Sequence, residues 1–169
     1  SLGHLMLDNG GIRSVDGGTT LRSIGRHIIT AVDEIVLGEW RITVGSNNWP
    51  ISTALFATGL KDLEIDLDST TQSGPYYSID SNISNQIIIK TTDNLNSYLG
   101  KELIGVHRIK RLTVRAGAWL DISDDRLIIT EENLSSIETG GILSGSGLSQ
   151  TLVNIAMRSG GGIVTDQPL

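Results

Sequence analysis

Along Arg111–Thr130, RLTVRAGAWLDISDDRLIIT, apolar and polar residues alternate with the two-residue period of a strand that buries one face. Leu112 and Val114 fall on one side, then Ala118, Leu120 and Ile122, then Leu127 and Ile129. Corners are expected at Ala116-Gly117 and Ser123-Asp124-Asp125, so the stretch predicts three short strands. Leu60–Asp68 repeats the pattern, with Leu63, Ile65 and Leu67 facing in and Asp62, Glu64, Asp66 and Asp68 facing out. Ile87-Ile88-Ile89 is a continuous apolar run, suited to a strand covered on both faces. Glu34–Val44 predicts two strands meeting at Gly38-Glu39, with Trp40, Ile42 and Val44 on a shared face.

Helical spacing occurs twice. Leu21, Ile24, Ile28, Val32 and Ile35 predict a helix over Thr20–Val36, capped by Thr19 or Thr20, although Gly25 and the β-branched Ile28-Ile29-Thr30 weaken it. Leu148, Leu152, Ile155 and Ala156 predict a short amphipathic helix over Gly147–Arg158, ended by Gly160-Gly161-Gly162. Before the first of these, Asn9-Gly10 suits a hairpin between Leu5–Leu7 and Ile12–Val15, or an arm ordered by a neighbour. Ser46–Pro50 and Asp93–Gly100 are loops, and Thr130–Gly147 is an irregular Ser- and Gly-rich segment. Strand-like runs begin near Leu63, Ile87, Leu112 and Leu127 at unequal gaps, a loose spacing with no strict repeat. The expected fold is mainly β with one or two short helices, as a β-sandwich or barrel or a short β-solenoid. Its parts would be an arm (1–18), a β-rich core domain (19–146) and a C-terminal helix and tail (147–169).

Composition agrees with strands and tight turns. The 169 residues include 20 Gly and 3 Pro, with 19% charged and 4% aromatic, which suits one β-rich core better than a helix bundle. A net charge of −6 argues against nucleic acid as the main partner. Without Cys there is no disulfide, thiolate metal site or cysteine nucleophile. No apolar run approaches the ~18 residues that would span a bilayer. The first residues lack the pattern of a secretory signal, and Ser1 would suit removal of an initiator Met; both fit a cytoplasmic protein or a particle component assembled inside the cell.

Candidate chemistry is sparse. The acidic face Asp62, Glu64, Asp66 and Asp68 and the cluster Asp121, Asp124 and Asp125 could attract Ca²⁺, but carboxylates two apart on a strand lie about 7 Å apart. The same acids could serve glycoside hydrolysis, making a polysaccharide-acting enzyme one alternative. Trp40, Trp49 and Trp119, with Tyr76 and Tyr77, are the candidate sugar platforms, Trp119 facing outward if Leu120 faces in. His4, His27 and His107 stand far apart, with no second ligand at metal spacing. Gly140–Ser146, GGILSGS, has the glycine spacing of a phosphate loop, but Ser146 stands where the lysine belongs. No Gly-x-Ser-x-Gly nucleophile elbow is present. Arg108, Lys110, Arg111 and Arg115 concentrate positive charge on one strand, where they divide between both faces. They are expected to pair with acidic residues within the chain or across a subunit boundary, with Asp62–Asp68 the first choice.

The phrasing LTVRAGAWLDISDDRLIIT resembles lines found in parallel β-solenoids and in phage fibre and decoration proteins. The Gly-, Ser-, Thr-, Asn- and Ile-rich, cysteine-free texture is similar to that of tailed-phage head decoration, baseplate and fibre subunits. The resemblance implies a non-enzymatic virion component that forms a homo-oligomer, a trimer by preference, and binds other virion or surface structural proteins. It carries over no functional residue and implies no cofactor, metal, nucleic acid or membrane. The interface regions would be Ser1–Gly18 and Gly147–Leu169. The runner-up is a carbohydrate-binding or adhesin module at the cell surface or outside the cell.

Overall fold

The computed structural model describes residues 2–12, 18–21, 23–45, 60–71, 73–145, 156–157 and 160–164. The chain is mainly β. Its strands are β1 (Leu2–Asp8), β2 (Thr19–Thr20), β3 (Arg26–Val36), β4 (Glu39–Val44), β5 (Glu64–Asp66), β6 (Tyr76–Ile83), β7 (Gln86–Lys90), β8 (Glu102–Arg115), β9 (Trp119–Asp121), β10 (Arg126–Ile129), β11 (Ser136–Ile137), β12 (Ile142–Ser144), β13 (Ala156–Met157) and β14 (Gly162–Val164). Among the described residues the only helical turns are single 3-10 turns at Asn96–Tyr98 and Glu132–Leu134. Two compact units divide the chain, one formed by Ser1–Ser23 with His107–Leu169 and the other by Ile24–Val106. In chain order the second interrupts the first. The expected arm and the described part of the expected tail both belong to the first unit, and the segment 19–146 contributes to both.

The first unit is a short parallel β-solenoid. Two stacks of parallel strands rise together: β1–β8–β11–β13 on one side and β2–β9–β12–β14 on the other. Leu7, Val114 and Ile137 align in register on one stack, and Leu120, Leu143 and Ile163 on the other. Val114, Ile137, Leu120 and Leu143 are fully buried and pack into one core with Leu112, Ile122 and Leu127. Each such side chain contributes ~1.5–3 kcal/mol on burial.

The corners follow the sequence expectation. Ala116 and Gly117 (φ +54° and +86°) turn the chain from β8 to β9, and Ser123 (φ +52°) turns it toward β10. Gly140 and Gly160, also left-handed, make the equivalent corners of the next two coils. Backbone bonds tie corner to corner, from Gly11 N to Ala116 O, Ala116 N to Thr139 O and Gly140 N to Gly160 O. A repeat is therefore present: Val114-Arg-Ala-Gly-Ala-Trp-Leu120 and Ile137-Glu-Thr-Gly-Gly-Ile-Leu143 occupy successive coils, and Met157, Gly160 and Ile163 hold the matching places on the next. Within Thr130–Gly147, expected to be irregular, the described residues include β11 and β12. Leu5–Leu7 pairs in parallel with Leu112–Val114, and most of its expected hairpin partner, Ile12–Val15, lies outside the described residues.

The second unit is a small antiparallel barrel. Its pairings run β8 to β3, β4, β7, β6 and β5 and return to β8, closing the ring through residues 102–106 of β8. Closure removes open sheet edges. Trp40, Ile42 and Val44 share the buried face as expected, and they pack with Ile29, Ile65, Tyr77, Ile79, Ile87, Ile89 and Leu103.

The helix expected over Thr20–Val36 is instead strand β3 from Arg26 onward. Gly25 breaks the chain in the left-handed region (φ +77°), and the β-branched run after it favours extended backbone. Ile28 and Ile35, two members of the helical stripe, are exposed, while Ile29 is buried. The expected C-terminal helix lies largely outside the described residues; where it is described, Ala156–Met157 is strand. The acidic strand is also shorter than expected, running only from Glu64 to Asp66, and Asp66 is 1% exposed instead of facing solvent.

The solenoid corners generate a test. A Cβ on Gly141 would collide with the Val114 carbonyl oxygen, whereas one on Gly3 meets nothing within 4 Å. Gly141→Ala should destabilise the protein by ~1–3 kcal/mol in denaturant unfolding. Gly3→Ala should stay within ~0.5 kcal/mol of the parent.

Candidate functional site

The densest cluster of buried polar groups in the solenoid surrounds Asp125, which is fully buried just after the Ser123 corner. His107 Nε2 stands 3.0 Å from Asp125 Oδ2, and Ser23 Oγ donates to Oδ1 at 3.1 Å. Arg126, 4% exposed, follows in sequence. Ser, His and Asp thus meet, but not in the order that activates a nucleophile. A relay needs the imidazole between hydroxyl and carboxylate; here the carboxylate lies between hydroxyl and imidazole. Ser23 keeps its proton aimed at Asp125, and no general base reaches it through His107. The arrangement is a clasp. Ser23 is the last solenoid residue before the barrel and His107 the first after it, so one carboxylate pins both ends of the insertion.

The residues singled out by sequence are scattered. Trp40 is a core residue, 5% exposed, and offers no surface. Trp49 lies outside the described residues. Trp119 is half-buried and outward of Leu120, with its indole N–H donating to Ser144 Oγ at 2.6 Å. Asp62 is exposed at a left-handed turn, Glu64 is half-buried, and Asp66 accepts the Asp68 backbone N–H. Asp68 pairs with Lys101 at 2.6 Å, not with the basic strand. On that strand Lys110 and Arg111 share Glu131, and Arg115 binds Asp8 at 2.8 Å. Arg108 is half-buried. Asp68 is thus held by Lys101, and Lys110, Arg111 and Arg115 by Glu131 and Asp8.

The histidines are dispersed. His4 Nε2 bonds Thr113 Oγ1 at 3.0 Å and His27 Nε2 bonds the Ile24 carbonyl at 2.8 Å. Gly140–Gly145, the phosphate-loop-like segment, builds a solenoid corner and strand β12. Among the described residues no three His, Asp or Glu side chains are placed to hold a metal ion, and no helix is long and apolar enough to cross a membrane. In the barrel, burial pushes the Tyr77 phenol up, reinforced by Tyr98 and Asp93, so it remains a hydroxyl that donates to Asp93 at 3.1 Å. No protein-family model, curated protein or solved structure matches the chain.

Sequence gave no signal for the clasp, because Ser23 and Asp125 are 102 residues apart. Removing the carboxylate should be costly. Asp125→Ala removes the acceptor of the half-buried Ser23 hydroxyl and the carboxylate beside the buried His107 ring, and should destabilise the protein by about 1–3 kcal/mol in urea unfolding. A variant that unfolds like the parent would show that the clasp contributes nothing.

Four carboxylates set an acid limit on stability. The Gly10 N–H and Arg115 hold Asp8 below the usual 3.8, and Lys101 and Thr70 do the same for Asp68. The Ser69 hydroxyl and then Arg26 hold Glu102 below 4.5, as Arg111 and Lys110 do for Glu131. Groups more acidic when folded stabilise the folded state fully above their unfolded values and lose that contribution as pH falls through the folded ones. The melting temperature should therefore hold steady from neutral pH to about 5 and decline below about 4. Salt should narrow the decline, because these pairs are largely exposed.

Proposed function

We propose that the chain is a non-enzymatic structural protein whose copies associate with one another and with neighbouring structural proteins. A virion component fits best, as a capsid decoration, baseplate or tail-fibre subunit, with a surface fibre as the alternative setting. The observation that carries this reading is the pair of open ladder ends. Among the described residues, no strand pairs with the outer edge of β1 or β2, nor with that of β13 or β14. Parallel ladders that stop without a cap are templates for further pairing. Apolar side chains stand at both ends, Met6 on β1 and Val164 on β14, each about half exposed.

The use of charge supports the same reading. Lys110, Arg111 and Arg115 are tied to Glu131 and Asp8, and Ser23 to Asp125 with His107 beside it, so these groups hold the fold. An acidic net charge of −6 keeps assembled particles dispersed.

Size-exclusion chromatography with light scattering on the full chain at micromolar concentration should give a trimer or larger species. Val164→Lys should shift that species toward smaller masses. Leu37→Ser, at the 98% exposed tip between β3 and β4, should leave it unchanged. A clean monomer overturns the reading.

A further inference from the structure

At the corner between β1 and the start of β9 lies an open groove of about 420 Å³, lined by Met6, Leu7, Asp8, Asn9, Thr19 and Trp119, with Gly18 and Ala118 at its floor. Its volume is within the range of about 300–1,000 Å³ typical of small-molecule sites. We propose that this groove binds one neutral pyranose residue of a glycan, through contact with Trp119 and hydroxyl hydrogen bonds to Asp8, Asn9 and Thr19. The inference rests on different observations from the association proposed above, although the two share Met6 on β1.

The lining has the mixed character that a sugar ring demands. A pyranose presents an apolar C–H face and a rim of hydroxyls, so its site needs an aromatic or aliphatic wall beside convergent polar groups. Met6, Leu7, Ala118 and the indole supply the wall; the carboxylate, amide and hydroxyl supply the rim.

The polar groups are set before any ligand arrives. Asp8 Oδ1 accepts the Gly10 N–H at 2.9 Å and Oδ2 accepts Arg115 Nε at 2.8 Å. Each oxygen keeps a lone pair for a sugar hydroxyl. Asn9 spends its Nδ2 on the Ile12 carbonyl, which orients its Oδ1 as an acceptor.

Trp119 is fixed equally firmly. Its N–H is held by Ser144 Oγ, which in turn donates to Asp121 Oδ1 at 3.3 Å. Gly18 lies so close to the ring that a Cβ there would meet Cδ1 at 2.7 Å. A side chain locked in this way loses little freedom on binding. The Asp8 carboxylate in the rim selects hydroxyl donors and disfavours a sugar carboxylate, which is why the ligand is neutral.

Saturation-transfer NMR on the full chain would use methyl glucopyranoside, methyl galactopyranoside and methyl mannopyranoside as probes, with methyl glucuronide as the charged control. At least one neutral probe should bind with millimolar affinity and receive saturation, and the glucuronide should bind about tenfold more weakly. Trp119→Ala should abolish the signal. Because that variant also loses the Ser144 bond, Thr19→Val serves beside it, keeping shape while removing a hydroxyl, and should weaken binding about threefold with unchanged melting. Absence of saturation for all three neutral probes overturns the proposal. So does binding that survives both substitutions, or a glucuronide that binds as well as the neutral sugars.

Discussion

Stacking one coil on another at strand spacing is the constraint from which the solenoid follows. At the corners of the last two coils the carbonyl of the neighbouring coil occupies the space where the residue after the turn would place its Cβ. The Val114 oxygen lies there for Gly141, and the Ile137 oxygen, 2.5 Å from an ideal Cβ, for Gly161. The equivalent place on the second coil is taken by Ala118, the smallest residue that carries a Cβ. Left-handed backbone one residue earlier, at Gly117, Gly140 and Gly160, turns the chain into that tight approach. The abundance of glycine is thus a geometric requirement of the corners, and the apolar ladders on either side depend on those corners holding register.

A second constraint follows from interrupting the solenoid. The first coil is separated from the second by Ile24–Val106, which closes its own ladder as a barrel and has its own core. The departing and returning chain are joined within the barrel by the pairing of Arg26–Ile28 with Glu102–Ile104 and by the Gly105 N–H bond to the Gly25 carbonyl. Within the solenoid Asp125 adds a further tie, accepting from Ser23 on one oxygen and standing 3.0 Å from His107 Nε2 on the other. Burying that charge is expensive, and its cost is offset only while both partners remain in place. Its position just beyond the Ser123 corner makes the clasp dependent on the same left-handed turn that builds the coil.

How much of this was legible follows from the range of each interaction. The corners at Ala116-Gly117 and Ser123 could be read because a turn residue and a two-residue alternation are local signals. The shared face of Trp40, Ile42 and Val44 was legible for the same reason. The helical reading of Thr20–Val36 failed because its stripe held equally well as a strand, and pairing with Glu39–Val44 decided the outcome. The repeat was hidden by the barrel between its first two copies and by corners that share little beyond glycine. Asp66 was placed in solvent because alternation was extended across a strand that turns at Leu67. Trp119 was correctly set outward of Leu120, but its anchoring by Ser144 depends on the parallel step from β9 to β12, which no local pattern announces.

Charge placement links these constraints to function. In a catalytic site, titratable groups converge on a space that a substrate can enter, and their tension is kept for chemistry. The Asp125 cluster converges on itself, with both carboxylate oxygens engaged by residues that fix the chain. Lys110, Arg111 and Arg115 of the basic strand are paired with Glu131 and Asp8, which belong to adjoining segments of the same solenoid. Among the described residues, the outer edges of β1, β2, β13 and β14 carry no further strand, Met6 and Val164 stand half exposed beside them, and Asp8 and Asn9 on the rim of the groove are held by neighbouring groups. Edges and a groove of that sort are what the proposed association and the proposed sugar binding would use, and neither process requires a bond to be made or broken.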